Sequence, residues 1–399
     1  MSKSPSFPPS GQYLKTIRQS ARKLCEKAQV TIKDDAIEHL LVSSAFKETF
    51  DQLSSFPGLA LPLKFASHLD ELNVLSILGL LQFGTAFEIP LRAQTGRGAG
   101  DAIKALIFAM YITSNGDEGD LLSSNGISTI ALAKVAELLG VDVMIEKPHE
   151  TLVGVTVGAL GGPLYTFVQL VTRALNETGA ALLASGYPNL GLFVVEALKE
   201  GQRQTTQSDS PNSFVDFTLD KIVRAIPGFR DMYTVDGEPA YIFSKALFLL
   251  NAIFTRFGSI SPPPFPVPST SDLPAFADGL LPPLLVQLGV IDLSNSQLND
   301  LWPAVDSPAK LVKNGGDKTE RQVLREGPAV TQDQAYLLRA ASIVAVDSFP
   351  RIASKLSSKN VPTFTVPQIN SWLSSIAKSR ETYHLKELST MVFKDTVHW

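Results

Sequence analysis

Two charged side chains in apolar surroundings are candidates for a catalytic or binding role. Asp278 lies between an apolar approach and the apolar run 280–285, and Lys245 sits in the apolar stretch 241–257. Burial disfavours the charged form of both groups, so each needs a partner, a capping role or a chemical use. Paired with each other, they would satisfy both charges and could flank an anionic substrate. The alternatives are that Asp278 caps the next helix and that Lys245 extends its ammonium to solvent.

Other motifs add one more candidate and exclude several classes of site. Arg230-Asp231 belongs either to the site or to a solvated surface pair. Gly96-Arg97-Gly98 lacks the Lys-Ser/Thr of a phosphate loop, and no Gly-x-Ser-x-Gly motif occurs. The five histidines never fall at metal-ligand spacing, and one cysteine cannot form a thiolate zinc site. The sequence therefore predicts no metal.

Composition indicates a globular protein of the cytoplasm or nucleus. Of 399 residues, 44% are apolar and 19% charged, and the net charge is −4. This balance predicts no basic face for duplex nucleic acid. Cys25 is the only cysteine, which excludes an intrachain disulfide and fits a reducing compartment. Residues 1–10 lack the apolar stretch of a signal peptide, and the longest apolar runs are shorter than a bilayer span, so we expect no membrane association.

The spacing of apolar residues predicts helices along most of the chain. They are expected over 13–29, from 34 onward, and over 69–83, 101–113, 128–139, 164–185, 190–200, 214–226 and 241–257, with capping boxes at Thr331 and Thr365. The glycine-rich stretch 152–164 is predicted to be a loop or a pair of turns. We therefore predict an all-α fold with at most a small hairpin. It forms one large domain over 13–399, in one or two lobes, with a disordered tail over 1–12 and surface linkers near 201–212, 258–274 and 305–321.

Several short segments, taken in order, resemble the queuosine salvage protein family, which hydrolyses queuosine 5′-phosphate and releases the base queuine. The segments are Leu175-Asn176-Glu177-Thr178-Gly179, Pro227-Gly228-Phe229-Arg230-Asp231, the Gly237 turn, the lysine-bearing helix, Phe276-Ala277-Asp278 and Leu285-Val286-Gln287-Leu288-Gly289. The resemblance extends from about residue 70 to the end of the sequence. It implies an all-helical fold similar to the helix-hairpin-helix DNA glycosylases.

The resemblance also implies roles for individual residues. Asp278 matches the catalytic carboxylate, Lys245 the lysine of the preceding helix, and Phe276 a residue that lines the base pocket. The other expected substrate-binding residues are Phe83, Phe87, Arg230, Asp231 and Asn370. Cleavage of an N-glycoside passes through an oxocarbenium-like sugar, whose charge a carboxylate stabilises. No metal or organic cofactor is implied, and the expected partner is a small nucleotide rather than a nucleic acid.

The sequence departs from the family pattern in ways that leave alternatives open. The family's Phe-x-Phe-Trp run corresponds to residues 82–87, which contain no Trp, and two carboxylates of the last helix fall at Asn370 and Ser375. Asn can bind a base edge but cannot neutralise an ammonium group. One alternative is an N-glycosidase for another purine nucleotide, and the other is a non-catalytic helical binding or scaffold protein.

Overall fold

The computed structural model describes residues 4–54, 61–114, 119–149, 151–152, 154–206, 212–302, 311–313, 323–356, 361–378, 383–385 and 387–399. Within these residues the fold is mostly helical, with fifteen α-helices. The helices are α1 Tyr13–Lys27, α2 Asp34–Val42, α3 Ser44–Leu53, α4 His68–Leu80, α5 Glu88–Thr95, α6 Ala99–Thr113, α7 Ser124–Thr129, α8 Leu132–Leu139, α9 Tyr165–Ala184, α10 Leu190–Thr205, α11 Ser213–Ala225, α12 Ser244–Phe257, α13 Leu281–Gln287, α14 Gln332–Lys355 and α15 Val366–Lys378.

Most of the predicted helices are confirmed, including the capping box of Thr331 and Gln334 at the start of α14. One of the helix predictions is wrong. The single helix expected over 128–139 is divided between α7 and α8, because the backbone leaves the helical conformation at Ile130 and Ala131. Gly140 ends α8 in the left-handed conformation that glycine adopts at low cost.

Strands are more numerous than predicted, because ten short strands form five two-stranded sheets among the described residues. The strands are β1 Thr31–Ile32, β2 Met144–Pro148, β3 Thr156–Leu160, β4 Met232–Val235, β5 Glu238–Tyr241, β6 Ile291–Asp292, β7 Val312–Lys313, β8 Val323–Ala329, β9 Tyr383–His384 and β10 Glu387–Val392. Strand β3 lies in the stretch predicted to be a loop and forms an antiparallel hairpin with β2. The sheets β1–β6, β7–β9 and β8–β10 join segments far apart in sequence. Periodicity does not reveal such pairings.

The turn between β4 and β5 forms where the sequence predicts one. Val235 pairs with Glu238, which leaves a two-residue turn, Asp236-Gly237, whose φ angles are 47° and 81°. Two positive φ values define the type I′ turn that Asp-Gly favours in hairpins. This hairpin begins directly after Asp231 and leads to α12, which carries Lys245.

Helix α14 runs through the core of the protein. Its neighbours include α1, α2, α13 and α15, and fourteen of its residues are buried. Arg339 is buried among them and is fully enclosed. Helix α4 is also buried from Glu71 to Leu80, as predicted from its apolar composition.

The predicted tail and linkers are only partly described. Residues 4–12 are ordered against α11 and β5: Ser10 donates to Asp220 at 2.9 Å and Tyr241 donates to the Ser6 carbonyl at 2.6 Å. Phe7 also lies under the Arg224 guanidinium, so this segment packs against α11 and β5. Residues 201–205 continue α10, and 259–274 form no helix or strand. Residues 1–3, 207–211 and most of 305–321 lie outside the described residues.

No helix in the described part of the chain is, by itself, long and apolar enough to cross a membrane. Helix α4 and the segment Thr85–Thr95 pass that test only when taken together, across a bend of 72°.

Candidate functional site

Two buried side chains hold the backbone of the segment Phe276-Ala277-Asp278. Asn370 of α15 accepts a hydrogen bond from the Phe276 amide at 2.9 Å, and Arg339 of α14 donates to the Ala277 carbonyl at 2.7 Å. Both side chains are buried. Because two helices fix the backbone directly before Asp278, the position of this residue is set by the core of the protein.

Asp278 caps helix α13 and keeps part of its carboxylate exposed. Its Oδ1 accepts hydrogen bonds from the amides of Leu280 and Leu281, both at 3.0 Å, which are free donors at the start of the helix. Its Oδ2 lies 4.0 Å from the Lys378 ammonium, and the side chain is 29% exposed. Asp278 therefore has the hydrogen bonds of a cap, but it lies two residues before the N-cap residue, Leu280, and one of its carboxylate oxygens takes no part in the cap.

Lys245 does not pair with Asp278, and it does not reach solvent. Its Nζ donates to the carbonyls of Leu80 at 2.7 Å and Val397 at 2.6 Å. The ammonium lies 5.3 Å from the centre of the Phe83 ring and 5.9 Å from that of Phe229. Both expectations for this residue are wrong, because main-chain oxygens from two other segments reach it inside the core. Burial lowers the pKa of Lys245 to about 7, and Arg339 adds to the effect while the Asp231 charge opposes it.

Asp231 belongs to a buried ionic cluster. Arg339 donates to both of its carboxylate oxygens, at 2.9 and 2.5 Å, and Tyr336 donates to Oδ1 at 3.1 Å. Both charged side chains are fully enclosed. Burial by itself would raise the pKa of Asp231, but the charge and hydrogen bonds of Arg339 hold it below the usual value. The alternative of a solvated Arg230-Asp231 pair is therefore wrong.

Arg230 is directed to a helix end. Its guanidinium donates to the carbonyls of Val223 at 3.0 Å and Arg224 at 2.5 Å, at the C-terminus of α11. A cation at this position complements the free carbonyls and the helix dipole. The structure does not bring Arg230 to Asp278.

The three candidate phenylalanines are buried. Phe87 packs 5.3 Å from the Phe167 ring, and Phe83 lies 6.2 Å from the same ring, beneath Lys245. Phe276 adjoins Asp278 in the chain and is 5% exposed. The amide oxygen of Asn370, expected at a base edge, accepts the Phe276 amide instead. Phe276 and Asn370 therefore lie next to Asp278, whereas Phe83 lies next to Lys245.

Sequence reasoning did not predict that the segment Phe393–Trp399 inserts beside Arg339. The Trp399 indole lies 4.4 Å from the guanidinium carbon, stacks on Phe393 at 5.6 Å and meets Tyr336 edge-on at 5.4 Å. Burial lowers the pKa of His398 to about 4. Arg339, like Lys245, is a single charge among apolar helix residues, and this pattern could have identified it as a candidate. No spacing of residues in the sequence indicates a role for Trp399.

Three buried polar atoms near this segment have no hydrogen-bond partner among the residues that the structure describes: Thr85 Oγ1, His398 Nδ1 and Trp399 Nε1. Thr85 and the indole of Trp399 meet at Gly279, the residue after Asp278. A Cβ on Gly279 would overlap Thr85 Oγ1 and would lie 3.3 Å from Trp399 Cδ1. Only glycine therefore allows the three segments to approach so closely.

Two other features do not involve these residues. A surface cavity of about 300 Å³ is lined by residues between Gly119 and Lys134, none of which is a candidate site residue. Within the described residues, no three His, Cys, Asp or Glu side chains are placed so that they could hold a metal ion.

Fold and site together define a mostly helical protein in which a part-exposed carboxylate adjoins a buried ionic cluster. Neither models of known protein families nor curated proteins match this chain.

Proposed function

We propose that the protein is an N-glycosidase that hydrolyses queuosine 5′-phosphate and releases queuine for tRNA modification, in the cytoplasm or nucleus. The observation that carries the proposal is the way Asp278 is held. Buried side chains from α14 and α15 fix the backbone before it, and the cap fixes Oδ1, while the side chain keeps 29% of its surface exposed. A carboxylate fixed in advance stabilises a developing positive charge without reorganising during the reaction.

In the proposed reaction Asp278 acts on the sugar and not on the base. The bond between the anomeric carbon and the base nitrogen breaks, and its electron pair leaves with the base. The carboxylate stabilises the oxocarbenium-like sugar or takes a proton from the water whose oxygen bonds to the anomeric carbon, and the departing base nitrogen takes up a proton from water. A 7-deazapurine has no N7 to protonate, so stabilisation of the sugar must be correspondingly strong. Exclusion of water would raise the value of the carboxylate charge.

In this proposal Lys245 is a positioning residue. Its ammonium joins α4, through Leu80, to the segment that contains Val397. Arg339 has a similar role, because it joins Asp231 to the Ala277 carbonyl. Both cations therefore act on the shape of the site rather than on the sugar.

Incubation of the protein with queuosine 5′-phosphate, with free queuine measured by mass spectrometry, tests the proposal. We expect release of queuine by the wild type and none by Asp278→Asn, which can still accept hydrogen bonds but carries no charge. Asp292→Asn is the matched control, because Asp292 is also partly exposed and accepts a backbone amide, that of Ser294. Full activity of Asp278→Asn would exclude the catalytic assignment. AMP and GMP, tested in parallel, separate queuosine salvage from hydrolysis of another purine nucleotide.

A non-catalytic helical binding or scaffold protein is the second candidate. It is favoured by the observation that Asp278 and Lys245 both have structural uses, one as a helix cap and the other as a donor to two carbonyls. On this alternative, no nucleotide of the panel releases its base.

A further inference from the structure

The segment Phe393–Trp399 contains no helix or strand, although it enters the core. Its backbone is held by hydrogen bonds that include Lys245 Nζ to the Val397 carbonyl, at 2.6 Å, and the Gly84 amide to the Trp399 carbonyl, at 3.2 Å. Trp399 is nevertheless 2% exposed.

The indole of Trp399 lies against a rigid cationic surface. Arg339 cannot turn away from it, because Asp231 and the Ala277 carbonyl accept its nitrogen donors. The guanidinium carbon is 4.4 Å from the centre of the indole, and Tyr336 meets the ring edge-on. A guanidinium fixed in this way binds the face of any electron-rich planar ring.

The polar groups around the indole are not satisfied by it. Within the described parts of the chain, its own Nε1 is buried without a hydrogen-bond partner, and so is Thr85 Oγ1, which lies close to the same glycine, Gly279. Buried Trp N–H groups usually have an acceptor, because an unpaired buried donor loses its hydrogen bonds to water without replacement. The indole therefore fits this place by shape and stacking, but not by hydrogen bonding.

We propose that the Trp399 indole occupies the binding site of a planar heteroaromatic ring, and that a ligand ring displaces it. The ligand ring would stack on Arg339 and would offer an acceptor to Thr85. This inference rests on the proposed function and identifies its base-binding site. Trp399 Cδ1 lies 3.3 Å from the position that a Cβ on Gly279 would occupy, and Gly279 directly follows Asp278 in the chain. A nucleotide base in the place of the indole would therefore lie beside the segment that carries Asp278.

Fluorescence of Trp399 tests whether the indole leaves. The other tryptophans are removed by Trp302→Phe and Trp372→Phe, which leaves Trp399 as the single emitter. We expect saturating queuine, adenine or GMP to shift its emission to longer wavelength and to raise acrylamide quenching severalfold, because the indole becomes exposed. Emission that stays unchanged with all three ligands would overturn the inference. This holds even if calorimetry shows that one of them binds, because the indole has then not moved.

Trp399→Ala gives an independent test, because the substitution empties the site. We expect the variant to bind free queuine about tenfold more tightly than the wild type, since no indole competes, and to gain thermal stability when queuine is added. Trp372→Ala is the control, because this indole is fully buried and its Nε1 donates to Thr49. Trp399→Leu replaces the alanine variant if the latter does not fold. If Trp399→Ala binds queuine no more tightly than the wild type, the inference is wrong. The indole then only packs in the core, and water satisfies the polar groups around it.

Free queuine has no glycosidic bond, so its binding does not depend on hydrolysis. Displacement of Trp399 without release of base from queuosine 5′-phosphate would exclude the proposed activity but keep the ring site. Release of queuine without displacement of Trp399 would support the proposed activity but exclude the ring site.

Discussion

Arg339 binds both oxygens of Asp231 through its two terminal nitrogens, at 2.9 and 2.5 Å, and neither side chain has any exposed surface. The third nitrogen, Nε, binds the Ala277 carbonyl. The ion pair therefore connects the start of the β4–β5 hairpin and the centre of α14 to the segment that carries Asp278. A substitution at Asp231 would therefore affect the position of Asp278 through the Arg339 guanidinium.

Loss of one partner of this pair should destabilise the protein strongly. Arg339→Met and Asp231→Leu each leave an uncompensated buried charge, and we expect each to lower the free energy of unfolding by about 3–5 kcal/mol. The double variant should lose less than the sum of the two, because no charge remains alone. Urea unfolding of the four proteins in a double-mutant cycle measures this coupling.

The control is the exposed pair of Arg351 and Asp34, in which both side chains are about half exposed. Arg351→Met should cost less than about 1 kcal/mol. Additive effects of Arg339→Met and Asp231→Leu would contradict the description of the buried pair as one unit.

Lys245 should make stability rise with pH above neutrality. Its pKa is about 7 in the folded protein and 10.5 in the reference state, so between these values the unfolded chain binds the extra proton. Stability therefore increases with pH in this range, by at most about 1.4 kcal/mol per pH unit from this group. Burial raises the pKa of the Cys25 thiol to about 11 from 9.0, which has the opposite effect above pH 9.

Unfolding free energies are therefore best compared between pH 7 and pH 9, where the Cys25 contribution is small. We expect Lys245→Met to have a flatter pH profile than the wild type and Lys15→Met, at an exposed position, to keep the wild-type slope. A wild-type profile that falls over this range would show that Lys245 keeps its proton in the folded protein.

Asp278 should contribute to stability through its cap and to activity through its charge. Asp278→Ala removes the acceptor for the amides of Leu280 and Leu281, which should cost about 0.5–2 kcal/mol. Asp278→Asn keeps an acceptor and should cost less, yet it should abolish release of the base. Thermal unfolding and the queuine assay, applied to both variants, separate the two roles. Loss of activity in the alanine variant alone would mean that only the cap matters.

Gly279→Ala should destabilise the protein by overlap with Thr85. Forcing extra atoms into a packed site costs about 1–3 kcal/mol, and here the new Cβ would overlap Thr85 Oγ1. Thr85→Ala in the same chain should recover part of the loss, because it removes the overlapping atom. Gly100→Ala is the control, since this glycine lies in α6 with nothing near its Cβ position, and it should be neutral or stabilising. Equal melting temperatures for Gly279→Ala and the wild type would contradict the packing around this glycine.

The helices were predictable because their signals are local. The apolar spacing of α1, the uniformly apolar α4 and the capping box before α14 depend on residues within a few positions of one another. The same holds for the Asp236-Gly237 turn. The strands were mostly missed because pairs such as β1 with β6 depend on residues far apart in the sequence.

The candidate site was only partly predictable for the same reason. Sequence identified Asp278 and Lys245 as charges that need partners, but it paired them with each other. Each found partners elsewhere: Asp278 in the amides that follow it, and Lys245 in carbonyls 165 and 152 positions away. The partner that each charge binds depends on which polar atoms the folded core brings within hydrogen-bond distance.

By itself, the sequence determined a mostly helical chain and identified Asp278 and Lys245 as charges in apolar surroundings. These follow from side-chain chemistry and local spacing. Only the tertiary structure decided that Asp231 binds Arg339, that Lys245 holds Val397, and that the Trp399 indole lies beside Gly279. The physical reason is that a buried charge or ring must take the partner that close packing places next to it, and packing is a property of the whole chain.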